Sequence, residues 1–194
     1  MSKSDPSSSK KETIKYIKWV ITIFLVTILI SGLISLGSEE LMARSNMLVA
    51  FLILFVIIII GIVFVVIGMA VATADEKPFH SMAARKVSGA MESLTLLRNA
   101  ERVSSICNDV IGDICGVVSG SASATIAAQI MQNFEFSWPR IISLLMSALV
   151  AGLTVGGKAM GKRIAINSCT AIVFFVGRVI YRCRTIFTVF RKQK

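Results

Sequence analysis

Asn108, Asp109 and Asp113 fall within six residues of the stretch ICNDVIGDICGVVSG (106–120), which is otherwise built from Ile, Val, Cys, Gly and Ser. Carboxylates four residues apart share a helix face, and Gly116 and Gly120 continue that face, so the pair is expected to point into the protein, not toward lipid. Thr73, Asp75 and Glu76 close another apolar run, and Lys158 stands in a third. Oxygen donors from Thr, Asn, Asp and Glu, without His or Cys, are what a hard cation such as Mg²⁺ requires. A closed network, in which Lys158 neutralises the carboxylates and no ion binds, fits the same residues. The sequence leaves both chemistries open. Other chemistry is not expected: Cys107, Cys115, Cys169 and Cys183 form no C-x-x-C pair and read as small buried hydrophobes, and the single His80 reads as an interfacial polar residue. No nucleophile with a paired base, phosphate loop or zinc motif is visible, so an enzyme is not expected.

These groups must be positioned by elements that suit lipid. Of 194 residues, 55% are hydrophobic and the mean hydropathy is +0.76. This predicts an all-α integral membrane protein with four transmembrane helices, an amphipathic juxtamembrane helix and a basic interfacial C-terminal helix. Residues 1–13, Ser-rich and charged, predict a disordered tail. Residues 14–37 hold the first span, the uncharged run Trp19–Leu36. It exceeds a signal-peptide core and lacks a small-residue cleavage site, so it is expected to be retained. A second span covers 47–74 and ends at Asp75, Glu76, Lys77 and Pro78. Residues 78–100 have helical periodicity but are too polar to span. The third span covers 102–131 and the fourth 139–160, with Ser137 as N-cap and Pro139 in the first turn. The apolar core of 163–194 is about half the length a bilayer needs, which favours a surface helix over a fifth span.

Basic residues fix the expected orientation. The two outer loops hold only Arg44 and Arg140, whereas the N-terminal tail, the 75–102 segment and the C-terminal segment are rich in Lys and Arg. The positive-inside rule then places both termini in the cytoplasm, in a cell-membrane protein. The net charge of +10 is read as topology plus attraction to anionic lipids, with no nucleic-acid partner. From a border at Arg102, Asp109 lies roughly 10 Å and Asp113 roughly 16 Å into the bilayer. A charged aspartate at the bilayer centre costs at least about 2.5 kcal/mol, so a counter-charge is required. The row Gly112, Gly116, Gly120, with Gly152, Gly156, Gly157 and Gly161 on the fourth span, predicts close helix approach, within one chain or across a dimer.

The order T-A-D-E (73–76), amphipathic helix, I-C-N-D-V-I-G-D-I (106–114) and G-G-K-A-M-G-K-R-I-A-I-N (156–167) resembles the transmembrane domain of the cyclin M and CorC/CorB magnesium-transport family. The resemblance covers about 47–170, and the domain it implies is 47–162; the first span lies outside it. It implies a homodimer that binds or moves Mg²⁺ by alternating access, with Thr73, Glu76, Asn108, Asp109 and Asp113 as candidate metal ligands. Two positions depart from the pattern: Lys158 stands where the family has an acid, and Gly161 where it has proline. The chain offers no room for the CBS pair usual in such proteins, so a separate cytoplasmic regulatory protein is a further expectation. The alternative is a non-transporting scaffold or accessory subunit in which Lys158 replaces the ion.

Overall fold

The structure, a computed structural model, describes residues 6–43, 45–133 and 139–192. It is helical, with no strand among those residues: α1 (Pro6–Ala43), α2 (Met47–Thr73), α3 (Lys77–Ala84), α4 (Ala90–Arg98), α5 (Ala100–Ser105), a π-helical turn (Ile106–Ile111), α6 (Gly112–Asn133), α7 (Pro139–Asn167) and α8 (Cys169–Lys192). Four stretches are long and apolar enough to cross a bilayer, Ile17–Met42, Met47–Thr73, Ala100–Met131 and Ile141–Asn167. A helix satisfies its own backbone groups, which is why the β-branched run of α2 is helical all the same.

Helix α2 is the hub. α6 and α7 pack along it, α5, the π turn and α8 meet its C-terminal part, and α1 lies mainly on α6. One core cluster joins Met42, Leu54, Ile58, Ile126 and Val150 towards the N-terminal half of α2. Another, at its C-terminal end, joins Val71, the fully buried Phe79, Leu94, Leu97, Ala165 and Val173. Between them Val110, Ile114 and Val118 meet Ile23 and Ile57.

Several boundaries differ from the sequence expectation. Helix α1 begins at Pro6, inside the stretch expected to be disordered; once a long span is nucleated, adding turns costs little, and proline is tolerated in the first turn. The segment 78–100 is not one helix. It breaks at 85–89, where Lys86 (φ 56°) and Gly89 (φ 93°) are left-handed and the Val87 amide donates to the Met82 carbonyl at 3.0 Å, a Schellman-type ending. A second break falls at Asn99. Helix α7 continues past residue 160 to Asn167, and only Ser168 separates it from α8. The expected N-cap, Ser137, lies outside the described residues.

Candidate functional site

The stretch that holds the carboxylates is the π-helical turn. Gly112 closes it by donating its amide to the Cys107 carbonyl, five residues back. Such turns insert one residue into the helical register and occur often at functional sites. Close packing meets this turn from α2: a Cβ on Gly68 would lie 2.8 Å from both Asn108 Oδ1 and Cys107 Cβ, and one on Gly61 would lie 2.8 Å from Cys115 Cβ. The small residues of α2 thus let the wider turn approach.

The two aspartates have different partners. Asp109 accepts from the Ser105 hydroxyl at 2.9 Å and lines a cleft of about 450 Å³ with Ala72, Ala100, Glu101, Ser104, Ser105 and Asn108. Asp113 turns to α7 instead. The Lys158 ammonium donates to the Gly112 carbonyl at 2.8 Å and lies 3.5 Å from Asp113 Oδ1. The lysine side chain is 20% exposed and the aspartate 71%, and Asp109 is exposed as well, so neither carboxylate is enclosed within the chain as their spacing implied. The ammonium lies over Gly112 and Gly116 at ordinary contact distance, 3.8 and 3.9 Å from where their Cβ atoms would be.

Of the remaining expected ligands, Asn108 shares the Asp109 cleft, whereas Thr73 and Glu76 are not among the residues that line it. Thr73 donates its hydroxyl to the Met69 carbonyl at 2.8 Å, a bond inside its own helix. Glu76 lies 3.5 Å from His80 Nε2, one turn on. Asn108 donates to the Ser104 hydroxyl at 3.0 Å, and its buried Oδ1 has no hydrogen-bond partner among the described residues. Among the described residues, no three His, Cys, Asp or Glu side chains converge as a metal-holding group. The cleft's own chemistry, two carboxylates with hydroxyl and amide oxygens, does fit a hard cation; Glu101, Ser104, Ser105, Asn108 and Asp109 would hold it.

Glu101, Ser104 and Ser105 were not singled out from the sequence, although a signal was present. Positions 101, 104, 105 and 108 follow the spacing of one helical face, but the stretch before Ile106 looked like the entrance to a span. The glycine expectation also divides. A Cβ on Gly161 would lie 2.7 Å from Val66 Cγ2 and one on Gly157 would strike Ile62, whereas an added Cβ on Gly120, Gly152 or Gly156 meets nothing within 4 Å among the described residues.

Compared with known proteins, the chain matches no family model, no curated protein and no solved structure.

Proposed function

We propose that this chain is a non-transporting scaffold or accessory subunit of a multi-pass membrane assembly, its polar centre closed by Lys158 in place of a metal ion. The observation that carries this reading is the Lys158 ammonium, 2.8 Å from the Gly112 carbonyl and 3.5 Å from the Asp113 carboxylate. A carboxylate held in lipid needs a counter-charge or it takes up a proton, and the lysine supplies one from a neighbouring span. The exposed edge of Asp113 is then covered by a second copy of the chain. Both termini are cytoplasmic in the cell membrane, and α3, α4 and the basic α8 lie at its inner surface, where anionic lipid and a cytoplasmic regulatory protein can be met. No substrate turnover is assigned.

A second reading, binding or transport of Mg²⁺ as in the magnesium-transport family that the motifs resemble, is favoured by one feature, the all-oxygen cleft beside Asn108 and Asp109. Thermal unfolding of the purified protein with and without MgCl₂ separates the two. The scaffold reading expects no saturable rise in Tm for the unsubstituted protein. A rise that Asp109→Asn abolishes would replace it with the cation reading, since a ligand bound only to the folded state must stabilise it. Orientation is tested independently by labelling the exposed Cys183 in sealed cells with a membrane-impermeant maleimide; rapid labelling without permeabilisation would overturn the topology.

A further inference from the structure

A second cleft, of about 360 Å³, lies away from the polar centre, lined by Val87, Ser88, Arg178, Tyr181 and Arg182. We propose that it seats the phosphate group of an anionic lipid. Arg178 and Arg182 are one turn apart on α8 and so reach the same side. Neither has a carboxylate within ion-pair distance among the described residues, whereas the nearby Glu92 is taken by Arg184 at 4.0 Å. Arg178 instead stacks its guanidinium 4.6 Å from the Phe174 ring centre, which aligns the group and leaves its N–H edges for an anion. Tyr181 and Ser88 add hydroxyl donors.

The opposite wall is held by backbone. Val87 and Ser88 stand between the left-handed Lys86 and Gly89, and Gly89 is pressed on α8 so closely that a Cβ there would lie 2.7 Å from Arg178 Cα. The loop and the arginines therefore have a fixed separation. The choice of a lipid over a free anion rests on the neighbouring face of α8. Phe175, Val179 and Ile186, 67%, 43% and 56% exposed, form an apolar stripe beside the two arginines, as acyl chains and headgroup would require of an interfacial helix. The inference rests on the surface placement of α8 proposed above and is independent of the Lys158 centre.

The test is native mass spectrometry of the detergent-solubilised full chain with dioleoyl phosphatidylglycerol, and with dioleoyl phosphatidylcholine as control. The expected result is retention of the anionic lipid, weakened roughly thirty-fold by Arg178→Gln with Arg182→Gln, at about 1 kcal/mol per arginine. Lys162→Gln with Arg163→Gln should leave it unchanged. If the double variant does not fold, Arg182→Gln alone is expected to weaken binding about five-fold. Equal binding by the arginine variants, or displacement of the lipid by millimolar inorganic phosphate, would overturn the proposal. Quenching of Phe175→Trp by brominated acyl chains, in a background with Trp19→Phe and Trp138→Phe, reports the placement of α8 separately. Quenching with arginine-independent binding overturns the cleft alone; absence of quenching overturns the placement and the cleft together.

Discussion

Glycine serves opposite ends in the two helix pairs α4–α8 and α6–α7. At the α4–α8 crossing it removes everything between two backbones: an added Cβ on Gly177 would strike the Ser93 hydroxyl and lie 2.6 Å from the Gly89 carbonyl. The buried Ser93 hydroxyl is shared between the Gly89 and Val173 carbonyls, at 2.9 and 3.2 Å. Between α6 and α7 a long lysine reaches over Gly112 and Gly116 at ordinary contact distance, without the backbone approach seen at Gly177. The first pair meets backbone to backbone, whereas the second combines apolar packing of Ile126 and Val150 with a lysine that reaches the Gly112 carbonyl and the exposed Asp113. Small residues at regular spacing therefore license close approach without requiring it.

The contrast predicts graded losses in thermal or denaturant unfolding of the detergent-solubilised protein. Gly177→Leu should be most severe, about 3 kcal/mol or more, because the neighbours are backbone and a buried hydroxyl that cannot yield. A near-neutral result would show that α4 and α8 are not held in contact. Lys158→Met should cost about 1–3 kcal/mol, the range for stranding a polar partner, and less where solvent reaches the exposed edge of Asp113. If Asp113→Asn in the Lys158→Met background restores nothing, charge does not fasten α6 to α7.

Smaller effects sharpen the comparison. Gly112→Ala, facing Val65 at 2.8 Å, should destabilise by about 1 kcal/mol. Gly120→Ala, with open space around it, should be neutral or stabilise by up to about 1 kcal/mol through helix propensity. The reverse order would mean that Gly120 packs against a second copy and Gly112 has room to relax. Thr73→Val should change stability by about 0.5 kcal/mol or less, since its hydroxyl serves only its own helix; a larger loss confined to MgCl₂-containing buffer would return Thr73 to a metal site.

Much of this architecture was legible without coordinates. A span is recognised by the length of an apolar run, a local property fixed by bilayer thickness and helix rise, and the four runs recur as helices, the second and third close to the expected bounds and the first and fourth longer. Lys158 was legible as one of two candidate counter-charges, beside a metal ion, since position along a helix can be counted. The direction in which each side chain points was less accessible. Asp109 and Asp113 share a face in a regular α-helix, but here Asp109 lies within the π turn and Asp113 follows it, and one bonds to Ser105 while the other lies near Lys158.

Local chemistry alone determined that this chain forms four helices long and apolar enough to cross a bilayer and that three of them carry polar groups. Tertiary packing decided the rest: Asp113 is the carboxylate that receives Lys158, Thr73 and Glu76 are bonded near home, and Gly89 and Gly177 bring α4 and α8 together. The division follows from distance along the chain. Hydropathy, helix rise and capping act over a few neighbouring residues, whereas the rotation of one helix against another depends on side chains far apart in sequence meeting at ångström separations, where one inserted residue or one absent Cβ changes which atoms touch.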